Sequence, residues 1–142
     1  MSPDRYLLDT SALISLIEGE AGAERVDRIL REAEVLLPWV SIFEAVYISR
    51  RIRGEAEADF RYTLLKQLSA TFLWEMNEPL LLTAARFKAN HRLSFGDALI
   101  AAYAFQNHAI LLHKDPEFEQ VKAIVKLKAL PYKPSPKEKK RK

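Results

Sequence analysis

Cysteine is absent from the 142-residue chain, which excludes disulfides, thiolate zinc sites, iron–sulfur ligation and a cysteine nucleophile. Glycine is scarce, and the residues at 19, 22, 54 and 96 form no glycine-rich loop of the kind that cradles nucleotide phosphates. No apolar run approaches the roughly 18 residues needed to cross a bilayer, and the opening MSPDRYLLD lacks the pattern of a secretory leader. A cytoplasmic protein with no membrane partner is therefore expected. Internal repeats and interior linkers are missing too. What is present, 49% hydrophobic and 29% charged residues, suits one globular domain with a single core.

The charge is unevenly divided. Residues 1–120 carry 13 Lys and Arg against 18 Asp and Glu, whereas residues 121–142 carry 9 against 1. The final KPSPKEKKRK has two prolines and little to bury, so the chain reads as a domain over 1–130 followed by a basic, flexible tail over 131–142. Such a tail either draws phosphates through counterion release or simply keeps the protein soluble. The body is net acidic, which is unusual for a surface that only grips a phosphate backbone. A bound divalent cation is the simplest way to offset those acids.

Along the chain, short apolar runs alternate with helical patterns. Tyr6-Leu7-Leu8, Val35-Leu36-Leu37-Pro38, Thr71–Trp74, Ala109–Leu112 and Ile124–Leu127 read as strands. Between them, Ser11–Ile17, Ala21–Ala33, Ser41–Arg53, Glu55–Leu68, Glu78–Lys88 and Phe95–Phe105 read as helices, with a short helix opening at Asp115 or Pro116. This alternation predicts a three-layer α/β/α sandwich around a mostly parallel sheet. Trp39, Phe43 and Tyr47 recur at four-residue steps and read as core packing in preference to base stacking.

Four acids stand at junctions between strands and helices: Asp9, Glu44, Asp97 and Asp115. Each has a structural explanation. Ser41-x-x-Glu44 and Ser94-x-x-Asp97 resemble capping boxes, while Asp9 and Asp115 suit helix N-caps, the latter with Pro116 at the favoured next position. Singly, capping explains each at least as well as catalysis. Together they suggest more, because the strand ends and helix starts of a parallel sheet share one edge, where ligands bind. Crowded carboxylates need protons or a cation, and oxygen-only ligands favour magnesium or manganese over zinc. Thr10 and Ser11 would orient Asp9 or cap the helix that follows.

LLDTSALI at 7–14, SIFEAVY at 41–47, SFGDALIAAYA at 94–104 and LLHKDPEFE at 111–119 together resemble a PIN domain. The chain to about Leu130 is similar, more narrowly, to single-domain VapC-type ribonuclease toxins. That resemblance implies a magnesium- or manganese-dependent endoribonuclease, with Asp9, Glu44, Asp97 and Asp115 as catalytic and metal-ligating acids and Ser11 as the small hydroxyl residue beyond the first. It also implies a cognate antitoxin partner and a homodimer. One position departs: two residues before the fourth acid the family commonly carries Thr or Ser, and this chain carries His113. His113 either touches substrate phosphate or sits at the edge of the core. His91 and His108 read as surface-turn residues.

The expected reaction is hydrolysis of an RNA phosphodiester by water, leaving a 5′-phosphate and a 3′-hydroxyl. Arg50 and Arg51, with Arg53, form the densest basic group of the body and are candidates for phosphate contact, although cations at a helix C-terminus also stabilise the helix itself. The segments between Ser41 and Ser69 are the candidate surface for a twin subunit or an antitoxin. Alternatives are a housekeeping PIN-type RNA or DNA nuclease, and a non-catalytic scaffold whose acids only cap helices. A flavodoxin-like or response-regulator domain is disfavoured by the absence of a phosphate loop.

Overall fold

The computed structural model describes residues 4–133. Five parallel strands form one sheet: β1 (Arg5–Leu8), β2 (Glu34–Pro38), β3 (Thr71–Leu73), β4 (Ile110–His113) and β5 (Leu127–Ala129), in the order β3-β2-β1-β4-β5. Around them lie α1 (Thr10–Glu18), α2 (Ala23–Glu32), α3 (Trp39–Arg53), α4 (Glu55–Lys66), α5 (Glu78–Asn90) and α6 (Phe95–Gln106), with a 3₁₀ turn at Pro116–Val121. This is the α/β/α sandwich that the alternating pattern predicts, and every strand pair in it is parallel.

Strand alternation separates two cores. Leu7, Leu36 and Leu111 face one way, onto α5, α6 and the 3₁₀ turn. Tyr6, Leu8, Val35, Leu37 and Leu112 face the other way, onto α1, α2 and parts of α3 and α4. Helix α6 is apolar nearly all round, with residues Ala98 to Ala104 buried without a break. Its alanines let the helix lie close to the sheet, which holds its first turn rigidly at the edge where β1 and β4 end.

Two sequence readings require correction. The last strand lies at Leu127–Ala129, not Ile124–Leu127, and pairs with Leu111–His113. Ile124 is exposed and Val125 is buried in the turn that follows the 3₁₀ segment. Phe43 and Tyr47 are not core residues: they are 60% and 38% exposed, and only Trp39 of that series packs against a core. Helix α3 buries Val40, Ile42, Ala45 and Ser49 instead. Among the described residues no helix is long and apolar enough to cross a membrane. Of the basic tail, Tyr132 donates to Glu119 at 3.2 Å and Lys133 pairs with Glu20 at 2.9 Å. Its remainder, residues 134–142, lies outside the described residues.

Candidate active site

In a parallel sheet all strands end at one edge, and the helices that follow begin there. Asp9 is the first residue past β1, the central strand. Its backbone N–H donates to Leu112 of β4 at 3.1 Å, so its position is fixed by sheet pairing. The side chain is 2% exposed and accepts from the Ala12 amide at 2.7 Å, capping α1. The Ser11 hydroxyl stands 2.6 Å and 2.8 Å from the two Asp9 oxygens and accepts the Lys114 amide at 2.8 Å. Ser11 thus ties the ends of β1 and β4 together while orienting the buried carboxylate.

The other acids arrive from three separate segments. Glu44 projects from the second turn of α3, where the Thr10 hydroxyl donates to its Oε1. Its carboxylate rests directly on Gly96: a Cβ there would lie 2.9 Å from Oε2. Asp97 sits in the first turn of α6, its amide donating to Ser94 Oγ at 3.1 Å. Asp115 follows β4 and caps the 3₁₀ turn by accepting the Glu117 amide at 3.0 Å. All four acids, with Thr10 and Ser11, line one open groove of about 720 Å³.

The groove's electrostatics follow from burial first and from neighbouring charges second. Burial pushes Asp9 up to about 7, against the pull of Ser11 and the Ala12 amide, and the Asp97 charge adds to the rise. Burial also pushes Asp97 up to about 6, helped by the charges of Asp115 and Glu44 and by a hydrogen bond with the Asp115 carboxyl. Among the described residues, no Lys or Arg forms an ion pair with any of the four.

Capping and convergence are therefore compatible, since Asp9, Asp115 and the Ser94–Asp97 pair do both. The Ser41–Glu44 capping box is not formed. Helix α3 starts earlier, at Trp39, and the Ser41 hydroxyl is buried, donating to the Leu8 carbonyl at 2.8 Å. That bond anchors the start of α3 to the end of β1 and carries Glu44 toward Asp9.

The basic candidates separate. Arg51 lines a pocket that Glu44 also borders, its guanidinium 5.7 Å from the Tyr47 ring centroid. Arg50 is turned away and paired with Glu55, while Arg53 lines the groove but is bound to Glu18 at 2.7 Å. His113 does not face the groove. It is fully buried between Phe118 and Tyr132, its Nδ1 accepts the Asp115 amide at 3.2 Å, and Nε2 has no partner. Burial holds it below the usual histidine range, so it is a neutral core residue and the expectation of a phosphate contact is corrected. His108 is exposed in a turn with φ 52°, and His91 caps the end of α5.

Two residues that shape the groove were not singled out from the sequence. Gly96 leaves the space that Glu44 occupies; a glycine inside a helix's first turn, where alanine is the better helix former, is the signal that a side chain is unwelcome there. Lys114 is 8% exposed and donates to the Ala21 carbonyl at 2.8 Å, with Glu20 at 3.7 Å. Nothing in the local pattern HKD announces that contact.

Among the described residues no three Asp, Glu or His side chains form a ready ligand cage. What the groove offers is an oxygen-only donor set whose members repel one another. That chemistry fits a small hard cation that takes one or two carboxylates directly and keeps several waters.

Comparison with known proteins gives the family of the fold. The sequence profile of the PIN domain matches residues 6–124. The chain belongs to the PIN domain family. Solved structures superpose on it over most of its length. The VapBC2 complex from Rickettsia felis, bound to a DNA fragment from its promoter, matches with a TM-score of 0.73 at 10% identity, covering 89% of this chain and 99% of that one. VapBC-1 from nontypeable Haemophilus influenzae matches at 0.69 and 20% identity, covering 88% and 97%. VapC20 from Mycobacterium tuberculosis, a toxin that cleaves the sarcin-ricin loop, matches at 0.68 and 17% identity, covering 82% and 94%. Identities this low speak for the fold. Among curated proteins none matches the sequence.

Proposed function

We propose that this PIN domain is a cytoplasmic, metal-dependent endoribonuclease and the toxin of a toxin–antitoxin pair. The observation that carries the nuclease reading is the convergence of Asp9, Glu44, Asp97 and Asp115 from four chain segments on one groove, with Asp9 and Asp97 pushed up to about 7 and 6 and no basic partner among the described residues. A scaffold needs caps, but it gains nothing from bringing uncompensated carboxylates together.

Magnesium or manganese held by these four acids would supply an activated water and neutralise charge on a phosphoryl oxygen. The chain's own residues prepare that site. Ser11 and the Ala12 amide hold Asp9 in a single orientation, and Thr10 together with the gap at Gly96 holds Glu44. Asp97 and Asp115 line the same groove, and the Asp115 charge adds to the burial that raises Asp97. Attack by external water with departure of the 3′ oxygen leaves a 5′-phosphate and a 3′-hydroxyl. The buried, neutral His113 takes no part in proton transfer.

Toxin–antitoxin complexes among the structural relatives support an antitoxin partner for this chain, as does the exposed apolar face of α4. Phe60 and Leu64 there are 58% and 47% exposed and adjoin Leu16 and Ile17 of α1. Such a face needs cover from an antitoxin segment or a twin subunit.

The test is cleavage of a pool of structured and unstructured RNAs by purified protein with magnesium, manganese or EDTA, beside Asp9→Asn and Asp97→Asn. Metal-dependent cuts lost in both variants, with 5′-phosphate ends, are expected. Cyclic 2′,3′-phosphate ends would overturn the water-attack scheme. Absence of both cutting and metal binding in folded, antitoxin-free protein would return the acids to a capping role.

A further inference from the structure

The aromatic series that helix periodicity assigns to the core instead borders the acidic groove. Phe43 and Tyr47 on α3 are joined there by Phe95, the first residue of α6, which is 67% exposed. These rings, with Trp39 behind them, line an open pocket of about 530 Å³. Glu44 and Ser94 line both this pocket and the acidic groove, so the two adjoin. The Phe43 and Tyr47 rings are tilted by 54° with centroids 5.5 Å apart. Arg51 lies over Tyr47 and forms no ion pair among the described residues. The indole N–H of Trp39 is already taken by the Tyr103 hydroxyl at 2.9 Å, which leaves its ring as an apolar wall.

An open slot of aromatic rings, a free guanidinium at its mouth and a phosphate-cleaving groove at its side match the parts of one nucleotide. Bases extruded from a strand stack on aromatic side chains, and arginine adds cation–π and phosphate contacts. A base paired within a duplex cannot enter such a slot. Resting on the nuclease reading above, we propose that this pocket is a nucleobase subsite. It stacks one unpaired base next to the phosphate being cut, with Arg51 on a neighbouring phosphate. Its rings stack any base, so the subsite selects single-stranded or looped RNA over duplex and leaves base identity to other contacts.

The experiment uses full-length protein carrying Asp97→Asn to prevent turnover. Its probes are a single-stranded RNA decamer with 2-aminopurine placed at successive positions and a matched set with one abasic residue. Quenching at one position is expected, with loss of quenching and a roughly 5- to 100-fold weaker affinity in Phe95→Ala or Phe43→Ala. An abasic residue at that position should cost a similar factor, with no further loss on adding Phe95→Ala. Phe95→Trp should keep the quenching and Phe95→Leu should lose it, although both preserve an apolar side chain. Equal weakening of intact and abasic RNA by Phe95→Ala, or quenching that survives Phe95→Leu, would overturn the subsite. So would a Phe43→Ala variant that turns a dimer into a monomer while quenching persists, which would make this face a contact between copies. Cleavage by the unsubstituted protein is read separately. If it cuts no RNA while the quenching pattern holds, the nuclease reading fails and the base subsite stands.

Discussion

Two sets of acids share the groove, and their surroundings are opposite. Glu18 lies between Arg53 and Arg61, each 2.7 Å away, and these partners draw it down to about 2. Arg61 in turn reaches Glu57 and the Ser49 hydroxyl, so the network joins α1, α3 and α4. Asp9 and Asp97, in the same groove, are pushed up to about 7 and 6, chiefly by burial, and have no ion-pair partner among the described residues. An acid that the fold has already matched with a cation is part of the scaffold. A set that the fold orients but leaves unmatched is arranged for a charge brought from outside.

If that contrast is right, the largest effect belongs to the unmatched set. Asp9→Asn or Asp97→Asn should lower RNA cleavage on the order of 10³-fold, several kcal/mol of lost transition-state stabilisation. Each should also raise the melting temperature of metal-free protein at pH 7.5, because a buried, unpaired charge is removed; calorimetry beside the cleavage assay checks both. A mutant that loses activity and stability together would break the comparison. Gly96→Ala comes next. Its Cβ meets only the end of the Glu44 side chain, which can swing away, so the fold should hold while activity falls roughly 10- to 100-fold, the range seen when a positioning contact around a metal site is lost.

Glu18→Gln should do the reverse. It strips charge from the partner of the largely buried Arg61, and a drop of roughly 5 °C in melting temperature with cleavage changed less than about threefold is expected. The smallest and most discriminating effect is in pH. Asp9 and Asp97 have raised values in the fold, so their contribution to stability is full below about pH 4 and is lost as pH rises through 6 and 7. Glu18, whose value is lowered, contributes above its usual range and loses that contribution as pH falls toward 2. Magnesium should therefore raise the melting temperature more at pH 8 than at pH 5, and Asp9→Asn should reduce that difference while Glu18→Gln leaves it intact.

The features legible in the sequence were those written in local chemistry. Tyr6-Leu7-Leu8 followed by Asp9-Thr10-Ser11 marks a strand end and a helix cap together, and Ser94 before Asp97 marks the next. What was not legible depends on distant partners. Ser41 looks like a cap, but the Leu8 carbonyl claims its hydroxyl. Phe43 and Tyr47 keep a helical period, yet the face they occupy has no element laid over it among the described residues. The strand at Leu127–Ala129 is only three residues long in the alternating KAIVKLKAL, and its register is set by β4 alone. Lys114 finds Ala21 across the sheet edge, a contact that no spacing encodes.

The strand order also bears on when the groove can form. β1 pairs with β2, but its other neighbour is β4, which is synthesised some hundred residues later. Until β4 docks, Asp9 lacks the Leu112 carbonyl, Ser11 lacks the Lys114 amide, and Asp115 has not been made. Before that, the chain carries three of the four acids without the strand that aligns them. The groove is therefore closed by a pairing that spans most of the domain, and its geometry waits on the segment that carries β4 and Asp115.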